Sequence, residues 1–179
     1  MDIDKQKWTS LQTRIFSLVC LKSGQKLSQR DIAKSLKVSP MAISKAIPPI
    51  IKTKLINLEK TKTINFIFFN RDETKAIEYK RVENLQQIYS SDFSDYLKDE
   101  LPGGTIILFG SYSLGEDTNL SDIDIAIVGR KEKTLKLDKY EKYLERKISL
   151  HFFPSWKEMP THLKNNIVRG IVLHGTVEL

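Results

Sequence analysis

The sequence is poor in several things, and each scarcity removes a class of protein. It has one cysteine, Cys20. That residue sits in the apolar run Ile15 to Leu21 and reads as a small core side chain, so a disulfide framework and a thiolate metal cluster are both excluded. No apolar run approaches the roughly 18 residues needed to cross a bilayer, which leaves no membrane partner to expect. The charged start Met1-Asp2-Ile3-Asp4-Lys5 has no signal-peptide pattern, so a cytoplasmic protein is expected. Internal repeats and low-complexity stretches are missing. The three histidines, His151, His162 and His174, fall at no metal-ligand spacing.

What is present is a globular composition over 179 residues, 40% of them apolar, enough for one large domain or two small ones. The net charge of +7 is unevenly spread. Residues 1 to 70 hold 13 basic and 4 acidic side chains, residues 71 to 100 hold 5 and 8, and residues 101 to 179 hold 11 and 10. A basic excess confined to one segment invites a polyanion, because neutralising phosphates releases condensed counterions. Breaks fall at Asn70-Arg71 and at Leu101-Pro102-Gly103-Gly104, dividing the chain into 1–70, a linking helix at 71–100, and 101–179.

The first segment has a three-helix rhythm. Leu11, Ile15, Leu18 and Val19 recur at helical spacing. Ser28 caps a second helix with Ile32, Ala33 and Leu36 inward, and Ser39 caps a third with Pro40 at its first position. Leu55 to Leu58 and Ile64 to Phe69 then read as a hairpin whose tip, Glu59 to Thr63, is polar and basic. The stretch Ser28 to Ile47 resembles the winged helix-turn-helix family of DNA-binding domains, over about residues 8 to 70. The resemblance implies double-stranded DNA as partner, with the third helix in the major groove. Ile43 and Ile47 face inward by spacing, so Met41, Ala42, Ser44 and Lys45 are the base-edge candidates, and Lys60 and Lys62 at the wing tip are candidates for binding phosphates. Pro48-Pro49 is expected to kink or stop the third helix, since each proline lacks the backbone donor.

Residues 71 to 100 read as a charged helical rod with a stripe of Ile77, Val82, Leu85, Ile88, Tyr89, Phe93 and Leu97. Beyond Gly104 the order is a buried strand (Thr105 to Phe109), a Gly-Ser turn, a strand from Asp122 to Val128, a helix from Lys133 to Leu144, a strand from Lys147 to Phe153, and a helix from His162 to Arg169. Alternating strands and helices imply an α/β (α+β) fold with a mixed sheet and flanking helices.

Two features of this frame carry chemistry. On a strand, side chains two apart share a face, so Asp122 and Asp124 project together while Ile123, Ile125 and Ile127 pack behind. Paired hard carboxylates suit Mg²⁺ or Mn²⁺, which take oxygen ligands and keep phosphates in the shell. Gly110 lets the backbone turn sharply toward a triphosphate, and the N–H groups and hydroxyl near Ser111 can donate to it, with Ser113 as a further hydroxyl.

The segment from Phe109-Gly110-Ser111 to Ser121-Asp122-Ile123-Asp124-Ile125-Ala126-Ile127 resembles the DNA polymerase β-like nucleotidyltransferases, most closely the minimal type, whose Gly-Ser is followed ten residues later by Asp-x-Asp. Ile167 to Gly175 also looks like that family's terminal segment. The resemblance implies transfer of a nucleoside monophosphate from an NTP to a hydroxyl acceptor, and it admits a protein acceptor, as in toxin–antitoxin pairs. Family members add a third carboxylate from a later strand. Here that strand, Lys147 to Phe153, offers only Ser149 and His151, of which the imidazole can be a base and the hydroxyl is a poor one. The competing reading is a DNA-binding regulator whose degenerate transferase domain senses a nucleotide or serves as a homodimer platform. Trp156 reads as a packing residue and Arg130-Lys131 as a solvated charge run.

Overall fold

The computed structural model describes residues 8–177. The charged start at Met1 to Lys5 lies outside the described residues. The chain divides into two compact units, Met1–Ala76 and Ile77–Leu179.

In the first unit, α1 (Ser10–Leu21), α2 (Gln29–Leu36) and α3 (Pro40–Lys52) pack beside a three-stranded antiparallel sheet of β1 (Leu27–Ser28), β2 (Ile56–Lys60) and β3 (Asn65–Phe69), in the order β1-β3-β2. This helix, strand, two helices and hairpin make the winged-helix arrangement expected from the sequence. All three helix starts are capped by hydroxyls, from Thr9, Ser28 and Ser39, which satisfy N–H groups the helix cannot. Ile15, Val19, Ile32, Ile43, Ile47, Ile50, Leu55, Ile56 and Ile67 form the interior. The two-residue β1 is too short to announce itself by alternation, and β2 runs two residues further toward the tip than its apolar pattern suggests.

Of the two outcomes expected at Pro48-Pro49, a kink or a stop, the stop does not occur: α3 runs on through both prolines. Pro48 and Pro49 are both on the solvent side, while Ile43, Ile47 and Ile50 are buried. The lost N–H groups therefore leave the Ser44 and Lys45 carbonyls to water, and burial of Ile50 carries the helix through to Lys52.

In the second unit the sheet has the order β6-β5-β4-β7, built from β4 (Thr105–Phe109), β5 (Ile123–Val128), β6 (Ile148–Phe153) and β7 (Ile171–His174). β4 is antiparallel to β5 and β7, and β5 is parallel to β6, so the sheet is mixed. Ile123, Ile125, Ile127 and Ile148 point to one face, where Ile88, Phe93, Leu97, Tyr140 and Leu144 cover them. Ala126, Val128, Ile107 and Phe109 point to the other, against Trp156, Met159 and Ile167. Trp156 is thus a packing residue.

Two helical expectations are corrected in this part of the chain. The rod is two helices, α4 (Thr74–Ser90) and α5 (Phe93–Glu100), broken at Asp92, whose φ is +59°. On α4 the residues facing inward are Lys80, Asn84 and Ile88, whereas Val82 and Tyr89 stand exposed. The expected stripe holds at Leu85, Ile88, Phe93 and Leu97 and fails at Val82 and Tyr89, because two buried positions of α4 are filled by polar groups with specific partners. The helix expected from Lys133 begins only at Asp138, as α7 (Asp138–Leu144), since Lys131 to Leu137 is irregular and exposed over most of its length. Short helices α6 (Gly110–Leu114) and α8 (Thr161–Ile167) complete the unit.

Candidate functional site

The site is made where β4 runs out. Phe109 pairs with Asp124 across the ladder, and the chain turns at once into α6. Gly110 has φ +73°, and a Cβ there would lie 2.6 Å from Asp124 Oδ2. The positive φ favours glycine at this position, and any side chain there would have to push the Asp124 carboxylate aside. Asp122, one residue before β5, is exposed, and Asp124 is half-buried.

Asp124 pairs in register with Ser149 of β6, and Ala126 with His151, so Ser149 and His151 share the face of the two acids, as expected. The side chains meet diagonally. The Ser149 hydroxyl donates to Asp122 Oδ2 at 3.2 Å, and His151 Nε2 lies 3.2 Å from Asp124 Oδ1. The imidazole also packs edge-to-face with the Phe109 ring, with centroids 5.3 Å apart. Each acid is thus faced from β6 by a side chain other than a carboxylate.

The two serines of the turn differ. Ser111 lines a cavity of about 340 Å³ together with Gly110 and Asp124. Ser113 is 1% exposed, and its hydroxyl donates back to the Gly110 carbonyl at 2.8 Å. Its expected role as a further phosphate donor gives way to a structural one, because the hydroxyl is committed to the turn. Glu116, Asn166 and Arg169 also line this cavity, and none of them was among the candidates read from the sequence. For Arg169 a signal existed in the family-like terminal segment. A Cβ on Gly170 would sit 2.4 Å from the Leu108 carbonyl, so that glycine lets the chain press onto β4 and bring Arg169 to the Gly110 turn. A second cavity, of about 530 Å³, adjoins Asp122 and is walled by Asn119 to Ser121 and by Glu141, Lys142 and Glu145 of the α7 region.

Among the described residues no three His, Cys, Asp or Glu side chains converge to hold a metal by themselves. Two carboxylates beside a turn stripped of its Cβ fit instead a hard cation that keeps waters and phosphate oxygens in its shell, which is the habit of Mg²⁺. His162 and His174 are exposed and away from this group.

In the first unit, Met41, Ser44 and Lys45 are exposed along α3, Ala42 is half-exposed, and Ile43 and Ile47 are buried. Lys60 and Lys62 are exposed at the hairpin tip. There Thr61 closes the turn: its hydroxyl donates to the Ile64 carbonyl at 2.7 Å and accepts from the Ile64 N–H at 3.0 Å.

Residues 90–174 match the nucleotidyltransferase domain family. A search of curated proteins finds no match. Among solved structures the chain is similar to a variant of Lactococcus lactis ZitR, with TM-score 0.41 and 21% identity, over 54% of this chain and 64% of that one. It is similar to the adhesin competence repressor AdcR of Streptococcus pyogenes, with TM-score 0.41 and 20% identity, over 55% and 72%. The S. aureus MepR–DNA complex matches with TM-score 0.38 and 18% identity, over 52% and 78%. The match thus spans just under two thirds of the ZitR chain.

Proposed function

We propose, for a chain that joins a winged-helix unit to a nucleotidyltransferase domain, that residues 101–179 form a polymerase β-like site that moves a nucleoside monophosphate from an NTP to a hydroxyl acceptor, and that residues 1–70 bind double-stranded DNA. The observation that carries the first part is the close approach of Gly110 to Asp124, which sets a glycine turn against the second acid of the Asp-x-Asp pair. Asp122 and Asp124 would hold Mg²⁺ or Mn²⁺. When bound, such an ion supplies charge neutralisation at the phosphates.

The chain's own groups have separable tasks. Ser111 and the backbone N–H groups of the turn orient the triphosphate, and Arg169 offsets its charge from the cavity wall. His151, beside Asp124, is the group able to take the proton from the acceptor hydroxyl, and Ser149 holds Asp122. The acceptor, a protein among the candidates, approaches from the side of Asp122.

A second reading has one observation in its favour, the absence of a carboxylate on β6 opposite Asp124. On that reading the domain binds a nucleotide without turning it over, and the protein is a DNA-binding regulator and homodimer. Substituting both Asp122 and Asp124 by Asn keeps the volume and removes the charge. Calorimetry with ATP and GTP, with Mg²⁺ and with chelator, is expected to show metal-dependent binding by the wild type and none by the double variant. Equal affinity of the two in Mg²⁺ overturns the proposal. Turnover of labelled NTP by the wild type, lost in His151→Ala, selects the enzymatic reading.

A further inference from the structure

Asp124 stands in the β4–β5–β6 ladder and is placed by it, but Asp122 precedes the strand. Its position depends on the segment that leads to it from the Gly-Ser turn, and that segment rests on a buried charged cluster. Lys80 is 0% exposed, Asp117 1%, Asn84 5% and Arg146 6%.

The cluster fixes the segment step by step. Asn84 Nδ2 donates to the Tyr112 carbonyl at 2.8 Å and to Asp117 Oδ1 at 2.7 Å. Lys80 Nζ donates to the Asp117 carbonyl at 3.0 Å and forms a short ion pair with Asp117 Oδ1. Gly115 has φ +77°, and a Cβ there would lie 2.4 Å from the Ile77 carbonyl, so the segment lies directly on the backbone of α4. From the other side Arg146 Nη2 is 3.6 Å from Asp117 Oδ2. Arg146 precedes Lys147, whose carbonyl accepts from the Ile123 N–H at 2.8 Å. The last residues before Asp122 are closed by Ser121 N–H to the Thr118 carbonyl, at 3.1 Å, and Thr118 N–H to the Ser121 hydroxyl, at 3.0 Å.

A buried ion pair is a poor device for stability alone, because apolar side chains of the same volume commonly do as well or better. The sequence had such side chains to hand: Val82 lies on the same helix and stands exposed while Lys80 is buried. What a charged cluster supplies and an apolar one does not is direction, since each hydrogen bond accepts one geometry.

We infer that Asp117 is a positioning residue, held by Lys80, Asn84 and Arg146, that sets Asp122 relative to Asp124 and so governs metal-dependent nucleotide binding. The inference rests on the nucleotide-binding reading above for its functional arm and on geometry for the rest.

The test uses the full chain and the variants Asp117→Asn, Lys80→Met with Asp117→Leu, and Leu97→Ala, the last being a core truncation that touches none of these groups. Asp117→Asn is expected to weaken binding of ATP with Mg²⁺ at least tenfold in calorimetry. It is also expected to raise amide hydrogen exchange over 115–122 at least tenfold more than over β4 and β5. The apolar pair, in which Arg146 has lost its Asp117 partner, regains at most part of the thermal stability and none of the affinity. Leu97→Ala lowers the melting temperature with affinity intact. Folded Asp117→Asn with wild-type exchange over 115–122, or with exchange raised equally throughout the unit, overturns the inference. A wild type that binds neither ATP nor GTP with Mg²⁺ refutes the nucleotide reading, and the exchange comparison still decides the positioning role.

Discussion

The two units support their candidate polar groups in opposite ways. From Ser10 to Phe69 the interior is apolar, and among the described residues of that unit the buried polar side chains are neutral, Gln12 and Ser23. The candidate binding groups on α3 and at the hairpin tip project into solvent from a frame that is indifferent to them. From Ile77 onward the candidate groups stand over a buried lysine, aspartate and arginine. A surface that follows phosphates tolerates mobile lysines. A pair of carboxylates that must share a cation does not tolerate a shift of an ångström, and rigid support below it has a use.

The largest effect expected from this contrast is that of Lys80→Met, which removes the close cation from the buried Asp117 carboxylate and leaves it the Asn84 amide and the more distant Arg146. Removing one partner of a buried pair costs on the order of 3–5 kcal/mol. Gln12→Leu removes a buried neutral side chain that donates to the Ala46 carbonyl at 3.3 Å and accepts from the Thr9 N–H at 2.8 Å, and is expected to cost about 1–2 kcal/mol. Urea unfolding followed separately for the two units measures both. Equal losses would mean that the charged interior is no more directional than the neutral one.

Next in size is a gain. Pro48 and Pro49 sit inside α3 on its exposed side, so replacing both by Ala lets new N–H groups reach the Ser44 and Lys45 carbonyls. A proline in a helix interior costs up to about 3 kcal/mol relative to alanine, and part of that returns through the freer unfolded chain. A stabilisation of about 1–3 kcal/mol is expected in the N-terminal unit alone. No gain would show that the buried Ile50 already holds the last turn without strain.

These helices also show where sequence reasoning stops. The caps at Ser28 and Ser39, the inward Ile43 and Ile47 and the strand of Thr105 to Phe109 were all legible, because each follows from a local period or a local hydrogen bond. The continuation of α3 past Pro48 was not, since it depends on what Ile50 packs against. Nor was the burial of Lys80: a lysine inside a helix pattern reads as solvent-facing unless its distant partner, here Asp117, is known. Arg169 and Asn166 reach the candidate site only through the packing of α8 and the close approach of Gly170 to β4. The charge and glycine that mark such partners were visible, but their pairing is a property of the fold.

A smaller effect, read as salt dependence, belongs to the first unit. Lys60→Ala with Lys62→Ala is expected to weaken duplex DNA binding on all sequences. It also flattens the slope of log affinity against log salt, by up to about one unit for each phosphate no longer neutralised. Lys45→Ala is expected to change preference between sequences instead. Fluorescence anisotropy across a salt series separates the two. If the full chain has no salt-dependent affinity for DNA, the exposed lysines are a solvated surface and the contrast between the units loses one side.

The smallest effect compares one carboxylate in each unit. Asp31 closes the capping box of α2: its own N–H donates to the Ser28 hydroxyl at 3.1 Å, and its carboxylate accepts from the Ser28 hydroxyl at 2.6 Å and from the Ser28 N–H at 3.0 Å. Those two bonds to the ionised form, the hydroxyl first and the backbone second, hold its pKa below the ordinary carboxylate value. Glu141 is lowered in the same direction, chiefly by the Ile148 N–H at the start of β6, with Lys147 adding to it. For a depressed acid the added stability is fully present above the unfolded pKa, about 4, and is lost as pH falls through the folded value. Ser28→Ala is expected to cost about 1 kcal/mol at neutral pH, the usual worth of a cap, and to leave the first unit's stability flatter between pH 5 and pH 3, roughly the span over which an unfolded Asp titrates. Glu141→Gln should flatten the same region for the second unit only, and by less than a cap is worth, because the amide oxygen still accepts from Ile148. Acid titrations of unfolding by circular dichroism give both curves. An unchanged acid profile in Ser28→Ala would mean that Asp31 gains nothing from the cap, and that even this exposed carboxylate is placed by something other than its nearest hydrogen bonds.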